Sequence, residues 1–271
     1  MTWLDELDLR PDAGWLALGT RALGGRPWLV TDDRAAVELE LKARLRRDQP
    51  GEVFAAEPGT ESAGDEVRRL VLGPDAAPID GDPHPLDDAG SRVQEDLCLM
   101  RRRADGWYLA AGSVCFPSRW RLRDKLGRHV TAVHGPVDGY AEGLAARVDR
   151  LFDRLGERPV LRRNWFVHPD PALFQPDRPV GGDPVVVGAE ALDELHCRSE
   201  RQTLRRLPES GMILFTIRIQ QAPLRELVAD PARRAAFAHL LAEGPVADLS
   251  HRGLSPAQVV ELRPVVAQVA A

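Results

Sequence analysis

An α+β fold, with N-terminal helices followed by a mostly antiparallel sheet and one intervening helix, is predicted by three observations on this 271-residue sequence. The first 80 residues carry helical apolar spacing. The middle holds short apolar runs around a hairpin signal. The last third contains one segment of strict apolar–polar alternation. Apolar residues at 44% and charged residues at 28% describe a globular chain with enough length to bury a sizeable core.

Each element has a local reason. Thr31-Asp32-Asp33 can cap a helix in which Val37, Leu41 and Leu45 recur at i, i+4 and i+8. After the polar turn Glu57-Pro58-Gly59-Thr60, Ser62 can cap a second helix with Val67, Leu70 and Val71 on one face. Gly73 to Gly90 is rich in Pro, Gly and Asp and reads as a long loop. Leu97–Met100 and Trp107–Ala111 flank Asp105-Gly106, a hairpin turn signal. A strand near Val130–Val133 follows. Ala141–Leu155 then sets Leu144, Val148, Leu151, Phe152 and Leu155 on one helical face, and Leu161–Val167 reads as a strand. Met212–Gln220 alternates cleanly, with Ile213, Phe215, Ile217 and Ile219 pointing one way. Pro231–Leu241 reads as a terminal helix. The expected organisation is an N-terminal helical region, 1–80, packed on a core, 81–271, as one globular unit.

Composition narrows the function classes. The formal charge is 36 − 41 = −5, without the basic excess of a general nucleic-acid binder. No apolar run approaches the roughly 18 residues of a membrane span. Met1–Arg10 is acidic and lacks a signal peptide's apolar stretch, so a cytoplasmic protein without membrane or nucleic-acid partners is expected. Cys98, Cys115 and Cys197 are odd in number and far apart, which indicates neither a disulfide framework nor a cysteine zinc site. GxGxxG, GxxxxGK[ST], HExxH and GxSxG are all absent.

Four sets of residues can carry chemistry. Of seven histidines, none forms an i, i+4 pair. His134 is followed by Gly135-Pro136, which ends a strand and can present the imidazole into a cavity as a lone axial ligand; the alternative is a turn histidine bonded to backbone. Arg198, Arg201 and Arg205, read as helical, share a face suited to an anion clamp or to surface ion pairs. Glu95 and Asp96, after Gln94, can hold an ammonium or relay a proton, or simply be solvated. Phe116, Trp120 and Trp165 can wall a flat cofactor or fill the core.

Read together and in order, five stretches resemble one family. They are Val93-Gln94-Glu95-Asp96-Leu97-Cys98-Leu99; Phe116-Pro117-Ser118-Arg119-Trp120 running to Lys125-Leu126-Gly127; Val133-His134-Gly135-Pro136-Val137; Asn164-Trp165; and Arg198 through Pro208 followed by Leu214-Phe215-Thr216-Ile217-Arg218. The set resembles the haem-dependent oxidative N-demethylases, the alpha subunit of dimethylamine monooxygenase, over about Leu9 to Leu227. The resemblance implies a PAS-like antiparallel sheet and helices enclosing haem b. It implies N-demethylation of a small secondary alkylamine, such as dimethylamine, to a primary amine and formaldehyde. Electrons would come from NADPH through separate flavin and iron–sulfur partner chains. His134 becomes the implied axial ligand, with His129 as its rival. Arg198, Arg201 and Arg205 become candidates for the haem propionates, with Trp120 and Trp165 beside the cofactor. Glu95, Asp96 and Glu200 are the carboxylates available to an alkylammonium. This chain departs from the family pattern at Asp138, where relatives often carry Pro. A haem-binding PAS-like sensor without catalysis is the alternative function.

Overall fold

The computed structural model describes residues 2–12, 19–81, 83–130 and 140–269. Its centre is one open antiparallel sheet of seven strands in the order β1-β5-β6-β7-β3-β4-β2. The strands are β1 (Arg21–Ala22), β2 (Phe54–Ala56), β3 (Asp96–Arg103), β4 (Gly106–Ser113), β5 (Val160–His168), β6 (His196–Arg206) and β7 (Ile213–Pro223). The expected α+β class with an antiparallel sheet is what forms. Its two short outermost strands both come from the first 80 residues.

The predicted hairpin is β3–β4, turning at Ala104-Asp105, with a bulge at Leu99/Met100. Alternation along β5, β6 and β7 gives the sheet two unlike faces. On the reverse face, Leu97, Leu99, Ala111 and Leu214 pack under α3 (Glu61–Leu72) and α4 (Pro85–Ser91). Further along that face, Trp165, Val167 and Cys197 pack against helices from the end of the chain: α8 (Leu224–Ala229), α9 (Pro231–Glu243), α10 (Val246–His251) and α11 (Pro256–Gln268). On the front face, Cys98, Met100, Leu109 and Leu204 meet Val148 and Phe152 of α6 (Tyr140–Arg154) and Leu155 just after it.

Several elements differ from expectation. Helix α1 (Ala35–Asp48) forms, but Val37 is 65% exposed and the buried side is Glu38, Lys42 and Leu45. Charged partners explain the shift. Beyond the point where β3 ceases to pair with β7, Arg218 meets Glu38 at 2.8 Å, while Lys42 donates to Glu95 O at 2.6 Å and pairs with Asp96 at 3.3 Å. The Gly73–Gly90 loop contains the start of α4, capped by His84, whose Nδ1 accepts from Leu86 N. His129 forms an isolated bridge with Tyr108, and of the strand expected near Val130–Val133, residues 131–133 lie outside the described residues. Pro231–Leu241 is not terminal, since α10 and α11 follow. Both begin beside a proline, at Pro245 and Pro256, where a missing N–H is harmless. The arginine cluster is not helical. It lies in β6, so strand parity governs it.

Candidate functional site

The front face and its cover enclose a cavity of about 880 Å³, within the range of small-molecule and cofactor sites, roughly 300–1,000 Å³. Its floor follows from register. On β5, Arg162, Asn164, Phe166 and His168 share one side, opposite Gln202, Glu200, Arg198 and His196 of β6. Leu204 lies opposite Phe215, and Gln202 opposite Ile217, on β7. The roof is Val148, Leu151 and Phe152 of α6, Trp120, Lys125, Val130 and the segment Arg178–Pro184.

The cavity is two-ended. At the Val160 end of β5 the wall is apolar: Cys98, Met100, Leu109, Val148, Phe152, Leu204 and Phe215. Eight residues further along the strand, about 26 Å away at roughly 3.3 Å per residue, the wall is polar: Ser118, Arg119, His168, Arg178 and Asp183. Between them lie Asn164, Glu200 and Gln202. Among the described residues β1 pairs only Val160 and Leu161, and the cavity passes round the remaining edge of β5 to Glu6, Asp8 and Arg163.

Glu200 is the carboxylate that faces this space. It is 8% exposed, and Gln202 Nε2 donates to its Oε2 at 2.8 Å. Among the described residues no basic side chain lies within ion-pair distance of it. Glu95 and Asp96 are equally buried but are used elsewhere. Glu95 accepts from Val30 N at 2.7 Å, and burial pushes its carboxyl upward. Asp96 accepts from Cys115 N and Phe116 N at 2.9 and 2.8 Å, and also holds Lys42. They tie the N-terminal segment and the strand-end Cys115-Phe116 to the sheet, and neither lines the cavity.

The arginines separate by parity. Arg198 projects to the front, fully buried, and donates to Ser118 Oγ, Gln221 Oε1 and the carbonyls of Phe116, Pro117, Ala172 and Leu173. It fastens the segments Phe116–Ser118 and Ala172–Leu173 to the sheet and keeps no donor for a ligand. Arg201 and Arg205 project to the reverse face. Arg201 binds the carbonyls of Pro27 and Trp28, and Arg205 lies over the Trp28 ring. The helical reading put the three on one surface; the period-2 strand divides them. Of the two tryptophans, Trp120 lines the roof, with Lys125 Nζ 5.7 Å from its ring centre. Trp165 projects to the reverse face, donates to Asp8 O at 3.0 Å and lies under Arg252, so the cavity meets it only round the edge of β5.

His134 and Asp138 lie outside the described residues. His129 is described and does not line the cavity. It stacks edge-on with Tyr108, and its Nε2 is 3.6 Å from Asp149. The residue that sequence reasoning overlooked is His168, at the end of β5. It is 4% exposed, its Nδ1 has no hydrogen-bond partner among the described residues, and burial, with Arg119 and Arg198 nearby, pushes its imidazole down to about 3. Arg119 adopts a left-handed backbone (φ 64°), clamps Asp183 with both terminal nitrogens, and leaves a buried Nε without a partner. Its signal in the sequence is only the alternation of β5 continued by one residue.

A cavity of this size, floored by a sheet and apolar at one end and polar at the other, has the size and lining of a cofactor site. The family model of the haem-dependent oxidative N-demethylase, alpha subunit-like proteins matches residues 71–259, from the end of α3 into α11. The chain belongs to that family. As a haem-dependent oxidative N-demethylase alpha subunit-like protein, it carries within the matched span every residue named above in the floor and roof of the cavity. Among its described residues no helix is long and apolar enough to cross a membrane.

Proposed function

We propose that this protein is the haem-binding catalytic subunit of an enzyme that oxidatively N-demethylates a small secondary alkylamine, dimethylamine or a close analogue, to a primary amine and formaldehyde. The observation that carries the reading is the two-ended cavity with one unpaired carboxylate, Glu200, in its wall. Haem b has an apolar macrocycle and two carboxylates at one edge, so it suits a cavity with an apolar end and a polar end. Buried polar atoms without a partner, His168 Nδ1 and Arg119 Nε, support a ligand there.

When bound, haem supplies dioxygen activation and electron transfer, which no side chain provides. His134, which lies in the sequence between Val130 and α6, two contributors to the cavity wall, would hold the haem iron. Glu200, held by Gln202, binds the substrate ammonium through an N–H···O contact. In the water-poor cavity such a charge-assisted bond is stronger than in solvent. Trp120, Phe152 and Phe215 exclude water around the methyl groups and favour a small, apolar-armed amine. Arg198 holds the segments Phe116–Ser118 and Ala172–Leu173, which carry Ser118 of the cavity wall, in place. NADPH-derived electrons would arrive through separate flavin and iron–sulfur chains.

The test is the visible spectrum of the chain produced with haem precursor, before and after dithionite and carbon monoxide, followed by aerobic formaldehyde release from dimethylamine with a surrogate reductant supplying the electrons. A Soret band that shifts with both reagents, together with formaldehyde, is expected. His134→Ala should lose haem and stay folded. Glu200→Gln should keep haem and raise the KM for the amine by about tenfold or more, the worth of one charge-assisted hydrogen bond. No Soret band under full haem supply refutes the reading. A normal haem spectrum without formaldehyde points to a sensor.

A further inference from the structure

The polar end of the cavity contains more cationic and donor capacity than its own acids satisfy. Arg119 is neutralised by Asp183. Arg198, fully buried, touches only carbonyls, Ser118 and Gln221; Asp96, Asp170 and Glu200 act on it from beyond contact. Lys125 lies over Trp120 facing the cavity, and burial with Arg128 and Arg178 nearby lowers its ammonium. Arg178 stands at the rim. Amid these charges His168 is sealed in the wall.

Its surroundings fix what it can offer. Gln175 donates through Nε2 to Asp170 O and Ala172 O, at 2.9 and 2.7 Å, which leaves its oxygen to accept from the imidazole. The open ring atom is Nδ1. In the neutral ring this atom is an acceptor; an anion opposite it, in a field already positive from Arg119 and Arg198, favours a proton there and turns His168 into a donor to that anion. The neighbouring orphan, Arg119 Nε, is also a donor. Arg119 reaches it from a left-handed backbone, a conformation costly for a non-glycine residue.

We propose that His168 and Arg119 at this end of the cavity, with Arg178 at its rim and Lys125 reaching in from the roof, seat the two carboxylates of haem. The assignment rests on the haem reading above and replaces Arg198, Arg201 and Arg205 in that role. It also orients the macrocycle, with its carboxylate edge toward the His168 end of β5 and its apolar body toward Met100, Phe152 and Leu204.

Apo-protein titrated with haem and with haem dimethyl ester, whose carboxylates are masked as neutral esters, tests it. Wild type should bind haem at least about tenfold more tightly than the diester. His168→Leu and, independently, Lys125→Met should each erase most of that preference. Both should leave diester affinity, the far-ultraviolet circular dichroism and the ferric and carbon-monoxide spectra unchanged. Lys125 is partly exposed, so its variant does not depend on tolerance of a core change. Equal weakening toward both ligands, or no weakening, overturns the seat. So does a changed Soret or electron-paramagnetic signature in His168→Leu, which makes His168 an iron ligand instead. If wild type binds neither ligand, the haem reading itself fails; if it binds both with equal affinity, only the carboxylate seat fails.

Discussion

A single guanidinium organises much of the cavity. Arg198 spends its donors on four carbonyls, a hydroxyl and an amide, and none of these acceptors has water as a substitute once the side chain is gone. Arg198→Met should cost about 3–5 kcal/mol of stability, as when one partner of a buried charged network is removed. Arg198→Lys should recover little of it, because an ammonium cannot reach six acceptors in a plane. Denaturant midpoints of the three proteins measure this. A loss below about 1 kcal/mol for Arg198→Met would mean the roof is held by other contacts. At this scale the sequence is ambiguous. Arg198, Arg201, Glu95 and Asp96 are visible as chemically capable residues, but whether a charge is spent on a ligand or on backbone depends on partners from 19 positions away, as Cys115 is for Asp96, to 173, as Trp28 is for Arg201.

Among the elements, legibility follows the cleanness of the hydrophobic pattern. Strand β7 is readable because one of its faces is uniformly branched and aromatic. Strand β6 is not, because both its faces bury polar side chains: Arg198, Glu200 and Gln202 in front, Ser199, Arg201 and Thr203 behind. With no alternation of polarity, its charge spacing imitates a helix. In α1 the same effect displaces the buried stripe by one position, since Glu38 and Lys42 have partners and Val37 does not need any. The terminal helices depend on a backbone detail. Gly253, after α10, has φ +81°, and a Cβ there would lie 2.2 Å from Val167 O; next to it, Arg252 O accepts from Val167 N at 2.7 Å. Gly253→Ala must therefore separate α10 from β5. A destabilisation of about 3 kcal/mol is expected, which lowers Tm by roughly 6–12 °C for a chain of this size. An unchanged melting curve would show that this turn can be rebuilt at no cost.

For the whole molecule, the decisive fact is that the sheet is closed at both sides by the N-terminal region. β1 covers part of β5, and β2 pairs along β4 from Phe54↔Ser113 to Ala56↔Ala111. The N-terminal 80 residues therefore complete the core rather than decorate it, and they also supply Lys42 beneath Phe116. A chain starting at Ser62 leaves two strand edges unpaired and strips Asp96 of its buried cation. It should lose the cooperative thermal transition and aggregate. A soluble truncated chain with a sharp transition would establish an independent core. The class of fold and the hairpin are legible from sequence at this scale. The cavity is not, because it is made of faces from strands and roof segments that only the register brings together.

The three thiols add a final point about endurance. Cys98 stands in the apolar wall, and Cys115 and Cys197 lie fully inside. Burial holds Cys115 and Cys197 at about 12 and keeps Cys98 well above the ordinary thiol range. Peroxides attack thiolates far faster than thiols. The folded chain thus carries its three thiols in the form least open to attack. Cys115 and Cys197, away from the cavity, meet an oxidant when the chain opens, so their survival is tied to how rarely it unfolds.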